Sequence, residues 1–269
     1  MSPRSATTER PPTLQALACG LAVLVASPPA AAQTYIDLTH PFDEQTLYWP
    51  TEPGFVLERV AAGVTDRGYY YAANRFRAPE HGGTHLDAPI HFYADGETVD
   101  AVPLDRLAGD AVCVDVSAAC RADRDYLVTV EDLRRWEEDQ GASLDDKIVL
   151  LRTGFADRWP DRASYLGTAA TGREAVSQLH FPGLDPTAAA WLAARRRVRM
   201  AGIDTASIDH GPSRDFAAHV ALARHGVPIL ENLASLESLP PRGFRIVALP
   251  MKIAGGTGGP CRVAAVLGE

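Results

Sequence analysis

Cysteine is scarce in this sequence and says little about a functional site. Four of the 269 residues are cysteine, and Cys19 lies in an N-terminal segment that we expect to be removed. The other three, Cys113, Cys120 and Cys261, are odd in number and lack CxxC spacing, so a disulfide scaffold is not expected. Buried, inert thiols are the preferred interpretation, although an exported compartment would permit a bridge between Cys113 and Cys120.

Positive charge is also in short supply. The chain has 26 Lys and Arg against 34 Asp and Glu, a formal net charge of -8, and no basic stripe. Nucleic acid and anionic membranes are therefore not expected as partners. A small-molecule partner is the default expectation.

No apolar run reaches the roughly 20 residues that a membrane span needs. The best candidate, residues 14–25, follows Arg4 and Arg10 and precedes a run of alanines. This layout predicts a secretory signal peptide over residues 1–32, cleaved before Gln33; a non-cleaved anchor is the alternative. We therefore expect an exported, periplasmic protein that has no membrane segment after cleavage.

Two common catalytic and binding motifs are missing. No GxSxG nucleophile elbow occurs, so the serines have no structural context for a serine hydrolase. The glycine-rich stretch at 255–259 lacks both the P-loop lysine and the GxGxxG spacing. A turn before a final strand at 261–267 is the better interpretation.

The remaining segment, residues 33–269, is long enough for one well-buried domain. Short β-rich runs bounded by Gly, Pro or charged residues predict strands, and several are apolar throughout, as in a sheet covered on both faces. These runs lie at 35–39, 69–76, 111–116, 147–152, 199–204 and 244–250.

Helix start and stop residues predict three helices. They cover 130–140, 186–197 and 214–225 and begin after Thr129, at the Asp185-Pro186 pair and after Ser213. The stretch at 159–182 is rich in Gly, Thr and Ser and is expected to be a long surface loop. The predicted fold class is α/β in a single domain, without strict βαβ alternation.

The stretch HGGTHLDAPIHF at residues 81–92, here called the histidine segment, holds three of the eight histidines. Alternate side chains of a strand share a face, so His85 and Asp87 are expected to point into one site. Two glycines and Pro89 allow the curl that brings His81 towards them. Imidazole and carboxylate groups in one place favour a divalent metal, zinc or manganese. Such a site activates water, so hydrolysis is the leading reaction class.

His91 differs from the other histidines because it follows the bend at Pro89. It is expected beside the metal, where it accepts a proton near neutral pH. A lone histidine is more often a hydrogen-bonded core or surface residue, and the clustering favours the functional interpretation here. His219 and Glu231 are the best remote candidates for further ligands, with a partly buried helix histidine and a surface glutamate as the equal alternative.

The histidine segment resembles the H-x-G-T-H-x-D-x-P-x-H signature of the metal-dependent cyclase family, which includes bacterial kynurenine formamidases and isatin hydrolases. Every fixed position of the signature is matched. DLTHPFDEQTLYWP at 37–50 and the segment from GIDTASIDHGPSRDF to ENLASL at 202–236 also resemble family segments. The resemblance therefore covers nearly the whole chain after residue 32.

This resemblance implies a role for each candidate residue. The implied metal ligands are His81, His85 and Asp87, and the implied catalytic acid/base is His91. In formamidase relatives a later His and Glu complete a two-metal centre bridged by the Asp, and their spacing matches His219 and Glu231. The implied fold is a mixed sheet of the swivelling β/β/α type with flanking helices, assembled as a homodimer or larger oligomer.

The expected function is metal-dependent hydrolysis of the carbonyl-nitrogen bond of a small aromatic amide. The arylformamidase type, acting on N-formylkynurenine, and the isatin hydrolase type are both open, with one or two Zn or Mn ions. Tyr48 and Trp49 resemble the family segment that lines the pocket and suit an aryl amide; a core or dimer-contact pair is the alternative.

Two observations favour the isatin hydrolase type. The stretches ASIDHGPSRDF and PMKIAGGTGGP look closer to that branch, and a signal peptide suits an exported enzyme better than tryptophan breakdown in the cytoplasm. A metal-dependent binding protein without catalysis and a hydrolase of lactones or other cyclic esters are the alternative functions.

Overall fold

Twelve strands are found in the computed structural model, which describes residues 33–268. The predicted signal peptide lies outside the described residues. The strands are β1 (Thr34–Asp37), β2 (Val56–Val64), β3 (Tyr70–Arg77), β4 (His85–Asp87), β5 (Ala108–Asp115), β6 (Leu127–Val128), β7 (Ile148–Arg152), β8 (Gly183–Leu184), β9 (Met200–Ile203), β10 (Ile229–Glu231), β11 (Phe244–Pro250) and β12 (Gly258–Leu267).

Six α-helices lie between the strands of the described segment. They are α1 (Leu104–Leu107), α2 (Ser117–Ala122), α3 (Val130–Gln140), α4 (Arg162–Leu166), α5 (Pro186–Trp191) and α6 (Ala217–Ala223). A 3-10 turn at Pro89–His91 follows β4, and a π-helical turn at Leu192–Arg196 continues α5. The mixed α/β class predicted from the sequence is confirmed.

Seven strands form a closed ring of hydrogen-bonded neighbours in the order β12-β11-β5-β7-β9-β10-β4, and β4 pairs back with β12. The four central strands, β5, β7, β9 and β10, run parallel, and the others are antiparallel to their neighbours. β1 adds to the sheet by pairing with the end of β12. The sheet is therefore a closed, mixed, barrel-like one, because ten-residue β12 reaches from β11 to β4.

The parallel strands are covered on both faces, as their apolar sequences predict. In β7, Ile148 and Leu150 pack into one core cluster, while Val149 and Leu151 pack into the other. Successive side chains of a strand point to opposite faces, so one strand contributes to both clusters. The cluster that contains Val149 and Leu151 also contains Leu133 of α3 and therefore lies on the helix side of the sheet.

Two of the three predicted helices begin where the sequence indicates. Thr129 caps α3 in a capping box with Asp132, and Gly141 ends the helix in the left-handed conformation. Asp185 caps α5 by accepting hydrogen bonds from the backbone N–H groups of Thr187 and Ala188. The helix after Asp185 does not stay α-helical to the end of the predicted range, because its last turn is a π turn.

The third predicted helix starts later than expected. It begins at Ala217, not directly after Ser213, because Phe216 adopts the left-handed conformation (φ 51°), which no helix continues. The cap is also different: Asp209, eight residues upstream of the helix, accepts hydrogen bonds from the backbone N–H groups of Ala218 and His219. Long-range capping of this kind leaves no local sequence pattern.

The prediction of a surface loop at 159–182 is wrong. The segment contains α4 and a 3-10 turn at Arg173–Gln178, and four of its large apolar side chains are buried. These are Tyr165, Leu166, Leu179 and Phe181. Its Gly, Thr and Ser content concealed these apolar anchors, which pack into the helix-side core.

Strands β2 and β3 form a two-stranded hairpin outside the main sheet. This hairpin, residues 56–77, is here called the arm. β3 lies within one residue of its predicted range, whereas β2 was not predicted. Of the twelve large apolar side chains that are exposed in the described residues, eight belong to the arm.

The cysteine prediction is confirmed for the three thiols that the structure describes. Cys113, Cys120 and Cys261 are buried and unbridged, and burial raises the pKa of each thiol to about 12. They are therefore inert as nucleophiles at neutral pH. Among residues 33–268, no helix is long and apolar enough to cross a membrane.

Candidate metal centre and its pocket

Strand pairing brings Glu231 to the histidine segment. β4 and β10 are antiparallel neighbours, and His85 lies directly opposite Glu231 in their register. On the other side of β4, Pro260 of β12 pairs with His85 and Gly258 pairs with Asp87. The strand that carries two candidate ligands is therefore held along both edges, as a rigid metal site requires.

Five of the six candidate residues form two groups that share one carboxylate, and His91 lies beside them. His81, His85 and Asp87 form one group, and Asp87, His219 and Glu231 form the other. Within each group the ligand atoms lie within 4.8 Å of one another. Asp87 contributes to both groups, so the geometry accommodates one or two cations.

Distances within the groups suit a metal ion. Asp87 Oδ1 lies 2.7 Å from His81 Nδ1 and 3.1 Å from His85 Nε2. On the other side, His219 Nε2 lies 3.2 Å from Asp87 Oδ2 and 3.0 Å from Glu231 Oε1. Ligands at about 2.1 Å from a tetrahedral ion are about 3.4 Å apart, so small adjustments would seat one.

In both buried histidines, His85 and His219, the Nδ1 atom is held by a hydrogen-bond acceptor outside the two groups. His85 Nδ1 lies 2.9 Å from the Gly83 carbonyl oxygen, and His219 Nδ1 lies 2.6 Å from Asp209 Oδ2. A carbonyl or carboxylate can only accept here, so Nδ1–H is the donor in both rings. Each Nε2 lone pair is left facing the carboxylates, in the orientation that metal-binding histidines adopt.

In His81 the nitrogen that is held by a hydrogen-bond acceptor is Nε2, not Nδ1. Its Nε2 lies 2.8 Å from the hydroxyl of Thr257, and that hydroxyl lies 2.6 Å from Glu80 Oε2. Because the Thr257 hydroxyl donates to Glu80, it accepts from His81 Nε2–H. His81 Nδ1 therefore presents its lone pair to the Asp87 side, and all three imidazoles fit a metal.

The charges of the centre need a cation. Asp87, Asp209 and Glu231 are all buried. Although desolvation opposes charge on the imidazoles, hydrogen bonds and charge from Asp209, Asp87 and Glu231 hold the pKa of His219 well above its usual value. The same balance raises the pKa of His85, through Asp87 and Glu231. Buried carboxylates of this density are stabilised by protonated imidazoles or by metal, and a metal displaces those protons.

The turn of the histidine segment depends on its two glycines. Gly82 has φ +150° and Gly83 has φ +56°. A Cβ at Gly82 would lie 2.0 Å from the Tyr48 ring, and one at Gly83 would lie 2.6 Å from the Phe42 ring. The curl expected from the sequence is present, and aromatic rings pack against it where a side chain would stand.

His91 lies next to the two groups without belonging to either. Its ring stacks on His81, with centroids 3.8 Å apart and planes inclined by 14°. Desolvation by burial, opposed by the charge of Asp87, lowers the pKa of His91 to about 4. His91 is therefore neutral at pH 7 and can accept a proton there.

A cavity of about 520 Å³ opens above the centre. One side is formed by three aromatic residues, Trp49, Phe92 and Phe216, here called the aromatic wall. Phe216 lies 6.1 Å from Trp49 and 5.3 Å from Phe92 between ring centroids. Tyr48 also lines the cavity, although it is 2% exposed and packs on Gly82. Its hydroxyl is buried and has no hydrogen-bond partner among the described residues.

Sequence reasoning missed several residues of this site. Phe92 directly follows His91 and Phe216 precedes His219 by three residues, so nearness in sequence to the candidates could have pointed to both. Asp209 and Thr257 had no such signal, because each acts on a histidine through a tertiary contact. All the candidate residues from the sequence line one cavity.

Comparisons with known proteins agree with this geometry. The sequence model of the family described as putative cyclase matches residues 36–210. The chain is 34% identical over 224 residues to an isatin hydrolase of Roseibium aggregatum, covering 80% of this chain and 82% of that protein. It is 30% identical over 229 residues to a kynurenine formamidase of Salinibacter ruber, covering 84% and 94%.

A solved structure gives the same result for the fold. Isatin hydrolase A from Ralstonia solanacearum matches with a TM-score of 0.78 at 33% identity, covering 87% of this chain and 92% of that chain. Sequence and fold therefore lead to one conclusion. The chain belongs to the putative cyclase family.

Proposed function

We propose that the protein is a metal-dependent hydrolase that cleaves the carbonyl-nitrogen bond of a small aromatic amide. The observation that carries this proposal is the position of His91, stacked on His81 beside a group of imidazoles and carboxylates that lines an aromatic cavity. The relatives named isatin hydrolase and kynurenine formamidase support it. Both names describe hydrolysis of a bond of this type.

The metal, His91 and the aromatic wall have separate proposed roles. When bound, a divalent metal lowers the pKa of water and polarises a carbonyl group. A ring nitrogen of His91 accepts a proton from the attacking water, whose oxygen bonds to the carbonyl carbon. The carbon-nitrogen bond then breaks, and His91 delivers the proton to the leaving nitrogen. The aromatic wall orients the ring of the substrate and excludes water from its face.

We propose zinc or manganese as the metal and Asp87 as a ligand shared by two ions. Neutral imidazole and carboxylate ligands suit both metals. The two groups with a common Asp87 support two ions, and either group alone supports one. Metal analysis after purification without chelator, followed by titration of the stripped protein, measures identity and number directly.

Trp49 and Tyr48 have different proposed parts in substrate binding. Trp49 lies in the aromatic wall and is proposed to contact the substrate ring. Tyr48 is proposed to act mainly by supporting Gly82, since its ring occupies the space beside that glycine. Isatin and N-formylkynurenine are the two substrate types to compare.

Export, assembly and the finer fold class are also proposals. The N-terminal pattern of residues 1–32 supports a periplasmic enzyme. The exposed apolar side chains of the arm support assembly with a second copy of the chain. The family's swivelling β/β/α class is proposed for the closed mixed sheet because the fold is similar to that of an isatin hydrolase.

One set of assays tests the function. Metal-stripped and metal-reloaded protein, and a metal-loaded His91→Ala variant, are assayed with isatins, aryl formamides and aryl lactones. We expect turnover only from reloaded protein with an intact His91. Full activity in the stripped protein or in the variant would refute the proposal, and tight binding without turnover would indicate a binding protein instead. Preferential turnover of lactones would indicate an esterase.

A further inference from the structure

The charges around the cavity are distributed unevenly. Four carboxylate residues line it, Glu52, Glu80, Asp87 and Glu231, and no Lys or Arg does so among the described residues. Asp87 and Glu231 belong to the candidate metal groups. Glu52 and Glu80 do not, so they set the charge of the cavity outside the metal centre.

Glu52 stands beside the aromatic wall. Its backbone N–H donates to the carbonyl oxygen of Trp49 at 2.9 Å, so a tight turn keeps the two residues together. Its side chain is exposed and lines the cavity. Within residues 33–268 its carboxylate has neither a hydrogen bond nor an ion pair to offset its charge.

Glu80 is fixed at the other side, next to His81. Its Oε2 accepts hydrogen bonds from the backbone N–H of Thr257 at 2.9 Å and from the Thr257 hydroxyl at 2.6 Å. It lies 4.0 Å from His81 Nε2, whose proton already goes to Thr257. These bonds hold the carboxylate in place and do not neutralise it with a cation.

A charged substrate would meet these carboxylates at short range. A cavity of about 520 Å³ is roughly 10 Å across, which is about one Debye length at 0.1 M ionic strength. A carboxylate on a ligand would therefore be repelled by Glu52 and Glu80, with no guanidinium or ammonium lining the cavity to pair with it. An uncharged aromatic ring loses nothing to these charges and gains contact with the aromatic wall.

We propose that the outer cavity selects uncharged aryl amides and disfavours substrates that already carry a carboxylate, with Glu52 and Glu80 as the residues that determine this specificity. This inference rests on the proposed function and names its substrate class. It favours an uncharged ring amide such as isatin over an aryl amide that carries a carboxylate and no ammonium group, such as N-formylanthranilate.

The same charges act on the product of a cyclic substrate. Water oxygen bonds to the carbonyl carbon, the carbon-nitrogen bond breaks and nitrogen takes one proton, which opens the ring to an amine and a carboxylic acid. The acid releases its proton at neutral pH and becomes an anion. Glu52 and Glu80 repel the new carboxylate, which offsets part of its attraction to the metal centre and so favours product release.

Matched ligands test the proposal. Isatin-5-carboxamide and isatin-5-carboxylate have nearly the same size and differ in charge, and N-formylanthranilamide and N-formylanthranilate form a second pair. For each ligand, kcat/KM is measured on the metal-loaded enzyme, and Kd is measured on metal-loaded His91→Ala protein by quenching of tryptophan fluorescence. We expect the uncharged member of each pair to be favoured by about tenfold or more, with the ratio narrowing as salt screens the charges.

Variants identify the source of the discrimination. Glu52→Gln is expected to reduce the ratio, and Glu52→Lys is expected to reduce it further by supplying a cation for the carboxylate. Glu138→Lys on the exposed side of α3 makes the same charge change away from the cavity and is expected to leave the ratio unchanged. Glu80 is not used alone, because removing its charge also disturbs Thr257 and His81.

The two readouts separate the possible failures. Equal kcat/KM and equal Kd for charged and uncharged ligands, or a ratio insensitive to Glu52→Lys, would overturn the charge selection, as would failure of every ligand to bind. Preferential binding of uncharged ligands without hydrolysis of any of them would overturn the proposed function and support the charge selection.

Discussion

The ring of His91 stacks on the ring of His81, with 3.8 Å between their centroids. His81 is itself held by Thr257 on one nitrogen and faces Asp87 with the other. The proposed proton carrier is thus located by contact with a proposed ligand. A displacement of His81 is therefore expected to displace the ring of His91 as well.

Removing the imidazole of His91 is expected to lower kcat by about 10²- to 10⁴-fold, the usual contribution of a general acid/base. Metal content is expected to stay the same, because His91 belongs to neither ligand group. Steady-state assays and metal analysis of His91→Ala measure both effects. Loss of metal from the variant would show that His91 acts as a ligand.

The pH profile provides a second prediction about His91. Burial lowers its pKa to about 4, so the ring is neutral above that pH and protonated below it. Activity that requires a neutral base is therefore expected to persist below pH 6.5 and to fall as pH drops through about 4. The measurement is kcat/KM against pH with metal content checked at each point. An acidic limb near pH 6.5 with the metal still bound would contradict this assignment.

Asp209 is expected to control metal affinity through His219. Asp209→Asn keeps the size of the side chain and can still cap α6, but it no longer holds His219 Nδ1–H with a charged acceptor. We expect the affinity for Mn²⁺ or Zn²⁺ to fall by about 10- to 100-fold, measured by competition with a chelating dye.

Asp185→Asn is the matched control for that experiment, since Asp185 caps α5 without contacting a histidine. Its metal affinity is expected to equal that of the unmodified protein. Equal affinities in both variants would mean that Asp209 is only a helix cap.

Thr257 is expected to matter because its hydroxyl accepts from His81. Thr257→Val removes this acceptor with little change in shape, which leaves His81 free to turn and lowers metal affinity. Thr257→Ser restores the hydroxyl and is expected to restore the affinity. Cobalt absorption spectra of the three proteins report the ligand geometry directly, and identical spectra for the valine variant would rule out this role.

Gly83 and Gly141 form a matched pair for backbone strain, because both have φ +56°. A Cβ at Gly141 meets nothing within 4 Å, whereas one at Gly83 lies 2.6 Å from the Phe42 ring. Gly141→Ala is expected to cost about 1 kcal/mol of unfolding free energy from conformation alone. Gly83→Ala is expected to cost about 1–3 kcal/mol more from overpacking. Urea denaturation measures both, and equal losses would mean that Phe42 moves aside freely.

The local half of the site could be predicted from the sequence because its geometry is set by strand periodicity. His85 and Asp87 are two residues apart and share a face of β4. Gly82 and Gly83 predict the turn before β4, because glycine adopts backbone conformations that other residues avoid. His219 and Glu231 were less certain from the residues alone, because the β4–β10 register that places Glu231 opposite His85 is tertiary.

The features that the sequence did not predict also depend on contacts between distant segments. Tyr165 and Phe181 anchor the segment 159–182 in the core, but the polar residues around them hide the burial pattern. The closure of the sheet depends on β12 pairing with β4 across more than 170 residues of chain, and no period in the sequence reports it. Packing and pairing between distant segments therefore decided what the local pattern left open.

The pairing of β12 with β4 also sets an order of events in biosynthesis. Every proposed ligand, from His81 to Glu231, is synthesised before β12, yet β4 gains its second hydrogen-bonded edge only from Gly258–Pro260. Thr257, which orients His81, immediately precedes that strand. A nascent chain thus contains all its ligands before it has the frame that aligns them. Stable metal binding is therefore expected only after the carboxyl-terminal strand has paired with β4.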